Sequence, residues 1–107
     1  MSTEENERSS IVSSTVGGLM TEEVGAVTGD LEITTRLLDP GLLGVYVRYA
    51  GAEEWYTVTG SPISFDEHSS KDELHEHVVK YLTTPGPVVD GNEEPRSLRG
   101  LPPAWAG

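Results

Sequence analysis

The chain has no cysteine among its 107 residues. Disulfides, thiolate nucleophiles and thiolate metal sites are therefore excluded. Small secreted domains usually rely on disulfides, so a reducing compartment, and hence a cytoplasmic protein, is expected. Positive charge is scarce as well. Seven Lys and Arg stand against eighteen Asp and Glu, a net charge of −11. Phosphate backbones and anionic lipid surfaces repel such a chain, so neither direct nucleic-acid binding nor membrane association is expected. No apolar run reaches the roughly 20 residues that span a bilayer. The opening MSTEENERSS is neither a signal peptide nor an Arg-rich transit peptide. Of the seven cations only Lys71 and Lys80 are Lys. With the many Gly, Val and Thr residues, this composition suggests a GC-rich bacterial genome.

Hydrophobic order is confined to the middle of the chain. Residues 1–23 are rich in Ser, Thr and Glu, with one basic against five acidic residues. Such a segment buries too little apolar area to offset chain entropy. A disordered acidic N-terminal tail is expected there, with a short ordered piece at 23–27. Residues 85–107 hold five of the seven prolines and are expected to form a Pro/Gly-rich tail. Between them, residues 24–84 read as one small α+β domain with four basic and ten acidic residues. A unit of about sixty residues buries only about 60% of its unfolded surface, so dimerisation would help it.

Three segments alternate. Leu31, Ile33, Thr35 and Leu37 fall on one face of the first, and Glu32, Thr34 and Arg36 on the other. Asp39-Pro40-Gly41 is a turn signal: Pro presets the second turn position and Gly supplies positive φ at the third. The second segment sets Val45, Val47 and Tyr49 against Tyr46, Arg48 and Ala50. The third, Trp55-Tyr56-Thr57-Val58-Thr59, is aromatic and β-branched. Short connections favour an antiparallel three-stranded meander. A helix follows at 71–82. Ser70 and Glu73 form a capping box, Leu74, Val78, Tyr81 and Leu82 make one stripe, and Pro85 stops it. The lengths match, so this C-terminal helix is expected to lie on one face of the sheet.

Chemistry-bearing motifs are thin. His68, His75 and His77 lie among Asp66, Glu67, Asp72, Glu73 and Glu76. His75 and His77, two apart on a helix, cannot share an ion. Glu73 and His77, four apart, make half a site at best. The adjacent carboxylate pairs at 22–23, 53–54, 66–67 and 93–94 are solvated in loops and tails rather than split into acid and base. The sequence has no Gly-x-Ser-x-Gly elbow and no phosphate or dinucleotide loop. No catalytic residue, metal site or cofactor is expected.

The most suggestive feature is a surface. If the apolar face of the sheet meets the helix, Arg36, Tyr46 and Arg48 point the other way, joined by either Trp55 or Tyr56. Two Arg with two aromatics have the composition of an interaction hot spot. The same side chains also suit cross-strand pairing, with Glu32 or Glu53 balancing the arginines. In the C-terminal segment, Arg96, Leu98, Arg99, Leu101 and Trp105 stand in polar surroundings; they fold back on the domain, serve as a docking motif or have no role. The expected function is a non-catalytic protein-interaction module, binding a protein partner or a second copy through a sheet face or edge. The alternative is an acidic inhibitor or nucleic-acid mimic that fills a basic groove on a nuclease or DNA-binding protein.

Overall fold

A computed structural model describes residues 7–66 and 70–102. Among these residues the architecture is α+β, with one helix and antiparallel strands. The long pair β4 (Asp30–Asp39) and β5 (Leu42–Tyr49) forms its centre. They join through the expected turn, with Gly41 at φ 84°. Leu31, Ile33, Thr35 and Leu37 oppose Tyr49, Val47, Val45 and Leu43. Alternation therefore puts one apolar set on one face, and Leu31, Ile33, Leu43, Val45 and Val47 are all buried.

The sheet has five strands, not the three of a simple meander. The order is β1–β4–β5–β6, with a further strand also on β5. β1 (Glu7–Ser13) lies inside the stretch expected to stay unstructured. It pairs with β4 over its whole length, from Glu7 opposite Arg36 to Ser13 opposite Asp30. β5 is longer than the segments that follow it, so two short strands share its far side: β6 (Tyr56–Thr57) and β7 (Ile63–Ser64). Between them Ser61 Oγ accepts from Val45 N–H at 2.8 Å, filling a gap in the ladder.

The sheet continues to curl beyond β6. β2 (Leu19–Thr21) and β3 (Gly25–Val27) form a hairpin. Glu22 N–H donates to Thr57 O and Thr59 N–H to Met20 O, both at 2.9 Å. Arg96 runs beside Leu19, donating to Gly18 O and accepting from Met20 N–H, each at 2.8 Å. A last hairpin, β8 (Val88–Val89) with β9 (Asn92–Glu93), precedes it. Leu19, Val27 and Leu98 from these flanking segments are buried with the central strands.

Helix α1 (Lys71–Leu82) closes the apolar face. Ser70 Oγ accepts from Glu73 N–H at its start, as the capping box requires. Leu74, Val78 and Leu82 are buried, and Tyr81 and Val79 pack at the margin. His75 is buried too. Its Nε2 lies 2.7 Å from Ser10 Oγ on β1 and its Nδ1 2.9 Å from Thr35 Oγ1 on β4. A neutral ring offers one donor and one acceptor, and either hydroxyl can take the complementary role. Arg8 on β1 pairs with Asp72 one turn earlier on the helix. Among the described residues no helix is long and apolar enough to cross a membrane.

Two outcomes follow. Leu19→Ala empties part of the core and lowers stability by about 2–5 kcal/mol, measured by urea denaturation; a dispensable tail would give no change. Burial, and then the Arg8 charge, hold His75 below its ordinary value, against Glu76 and Asp72. The unfolded chain then binds the proton more readily. Stability is full above the unfolded value of about 6.5 and declines as pH falls from there towards the folded value. A urea midpoint that drops over this window, and a shallower slope in His75→Gln, are expected. A wild-type His75 NMR titration at or above 6.5 would contradict this.

Candidate functional site

The face of the sheet turned away from the helix carries three rows of side chains, set by strand register. Glu7, Arg36 and Gly44 form the first. Ser9, Thr34, Tyr46 and Thr57 form the second. Ile11, Glu32 and Arg48 form the third, with Trp55 beyond. Together Glu7, Ser9, Glu32, Thr34, Arg36, Tyr46, Arg48 and Trp55 line a half-open concavity of about 490 Å³.

Each arginine is held twice. Arg48 Nε donates to Glu32 Oε1 at 2.8 Å, and its guanidinium carbon lies 4.4 Å from the centre of the Trp55 ring. Arg36 pairs with Glu7 and lies 5.9 Å from the Tyr46 ring centre. Such cation–π contacts hold guanidinium groups flat against a ring. The Tyr46 ring lies down along the sheet because position 44 is Gly: a β-carbon there would stand 2.6 Å from Tyr46 Oη. Ser9 and Thr34 hydroxyls meet at 2.6 Å across β1 and β4. The concavity is thus polar, aromatic and internally charge-balanced.

Four of the five candidate residues, Arg36, Tyr46, Arg48 and Trp55, come together on this face. Tyr56 does not. It stands opposite Val47 and so shares that residue's side of the sheet, where its ring packs against the core margin. Its hydroxyl donates to Glu54 Oε1 at 3.2 Å. Desolvation, followed by the charges of Glu54, Tyr49 and Glu23, raises its ionisation above the ordinary phenol value. Glu23 accepts from Thr57 N–H at 2.7 Å and from its hydroxyl at 2.8 Å, which holds its carboxyl below the usual range.

Two participants were missed by sequence reasoning. Glu7, rather than Glu53, balances Arg36, and it lies in a stretch with no strand signal. Gly44 reads as the start of a strand, yet it is the floor beneath Tyr46. The Gly-x-Tyr spacing, two apart and so on one face, was the available signal.

Two of the histidines make structural contacts. His75 is the buried bridge already described, and His77 Nε2 donates to Pro102 O at 2.6 Å. His68 lies outside the described residues. Among the described residues no three His, Asp or Glu gather as a metal-ligand set. Compared with known protein families, curated proteins and solved structures, the chain matches none.

The two arginines are not equivalent. The Arg48 and Glu32 side chains are 29% and 18% exposed, whereas Arg36 is 54% exposed. Arg48→Met leaves Glu32 unpaired in a half-buried site and removes the Trp55 stack, costing about 1–2 kcal/mol. Arg36→Met costs under about 1 kcal/mol. Denaturation midpoints in that order are expected, and the reverse order would refute the geometry of the face.

Proposed function

We propose that this chain is a non-catalytic protein-interaction module that engages a partner through the outer face of its sheet. The carrying observation is the paired arrangement Arg48–Trp55 and Arg36–Tyr46 across one exposed concavity. Trp, Tyr and Arg dominate binding hot spots because each offers a large contact area with a polar handle. Here the rings and guanidinium groups are already held by one another and by Glu7 and Glu32. Ordering them on binding therefore costs little rotamer entropy.

The alternating β4–β5 pair supports this reading. A sheet that needed only stability could carry small polar side chains on its solvent face. Among Glu32, Thr34, Arg36, Tyr46 and Arg48 on β4 and β5 only Thr34 is small and polar, and it is itself buried.

A photocrosslinking amino acid placed at Tyr46, and separately at Glu76 on the far side of the helix, tests the proposal in the producing cell. The Tyr46 position is expected to yield a discrete adduct and the Glu76 position none. With the partner purified, Trp55→Ala is expected to weaken binding by at least about tenfold, as hot-spot truncations do. Adducts from Glu76 alone, or an unchanged affinity in Trp55→Ala, would overturn it.

A further inference from the structure

We infer that the partner surface is rich in Lys and Arg and docks at the Trp55 end of the outer face. This rests on the interaction reading above and adds the chemistry of the partner.

The inference starts from where the cations have gone. Arg8 pairs with Asp72, Arg36 with Glu7 and Arg48 with Glu32. Arg96 stacks on Tyr81 at 4.4 Å and donates to its carbonyl at 3.4 Å. An anionic partner approaching the sheet face meets a carboxylate already in place on each arginine. The face therefore does not suit an acidic ligand, although it contains two arginines.

The Trp55 end is different in composition. Ala50 N–H donates to Asp30 O at 3.0 Å, and Glu22 N–H donates to Thr57 O at 2.9 Å. These bonds gather residues 19–30 and 49–60 around one end of the sheet. The two segments contain Glu22, Glu23, Asp30, Glu53 and Glu54 and no Lys or Arg. Glu23, also exposed, is engaged by Thr57. Glu22, Asp30, Glu53 and Glu54 face solvent. At this end Val24 and Trp55 are 54% and 39% exposed, apolar groups that a monomer gains nothing by exposing.

An exposed Trp that follows the Glu53–Glu54 pair, at a sheet end whose segments carry carboxylates and no cation, is complementary to a cationic surface with an apolar seat. Long-range attraction would steer the encounter, and the exclusion of water around Trp55 would hold it. A second copy of the chain is a poor occupant, because each brings a charge of −11. Nucleic acid is repelled for the same reason.

Two synthetic nonapeptides test this, one of Arg, Lys, Leu and Gly and one with Glu and Asp replacing the cations. Each is titrated into the ¹⁵N-labelled full chain at low and moderate salt. The basic peptide is expected to shift amides of residues 22–24 and 49–57 and to lose affinity as salt rises. Glu53→Lys/Glu54→Lys is expected to weaken it by at least about tenfold. Glu76→Lys/Glu94→Lys makes the same change in net charge elsewhere and is expected to weaken it by under about threefold.

Equal loss in both double variants, shifts spread over the whole surface, no binding at low salt, or preference for the acidic peptide would each overturn the inference. The crosslinking result from Tyr46 is independent of these titrations. A partner captured there that proves acidic would sink the chemistry and leave the interaction reading standing.

Discussion

Leu31 opposite Tyr49, Ile33 opposite Val47 and Thr35 opposite Val45 fix one register between β4 and β5, and the other elements take their places from it. The side-chain period of a strand is two. A slip of one residue between them would turn one strand over, bringing either Arg36 in place of Ile33 or Tyr46 and Arg48 in place of Val45 and Val47 under the helix. The registered pair makes an apolar face that needs a cover and a polar face that can remain open. Helix α1 covers the β1 side of the apolar face. The β2–β3 hairpin, Val58 and Leu98 complete the rest of the core.

That division explains what was legible from residues alone. β4, β5 and α1 each carry a long periodic pattern with a turn or cap at the end, and their faces were readable. β1 was not, because Glu-Arg-Ser-Ser-Ile-Val-Ser offers only Val12 to the core margin and leaves Ile11 exposed. Its place depends on backbone pairing with β4, on the Arg8–Asp72 pair and on the Ser10–His75 bond, all long-range partners invisible in local sequence. Leu19, Val27 and Leu98 each contribute one buried side chain from Gly- or Pro-rich surroundings, too few to make a period. β6 is two residues long, so nothing in its sequence chose between Trp55 and Tyr56. Its pairing with Tyr46 and Val47 made that choice.

The candidate site follows the same logic. Alternation alone placed Arg36, Tyr46 and Arg48 together. The state of those arginines depended on Glu7, which arrives from a segment without a strand signal. Sequence charge gave the sum of −11 but not its distribution. The fold draws Arg8, Arg36, Arg48 and Arg96 into internal contacts and leaves the Trp55 end without a free cation among its own segments. An acidic chain thereby becomes more one-sided at its surface than its composition alone suggests. Surface ion pairs of this kind contribute little stability. Their larger effect here is to orient side chains and shape the external field.

The absence of native cysteine allows a direct test of the two-faced sheet. Single substitutions Val45→Cys, Tyr46→Cys, Val47→Cys and Arg48→Cys along β5 can be timed against a thiol-reactive reagent under native conditions. Rapid labelling at 46 and 48 is expected, with labelling at 45 and 47 only as fast as the domain opens. Equal rates at all four positions, or protection at 46 and 48 with reaction at 45 and 47, would contradict the register on which the fold and the proposed binding face both stand.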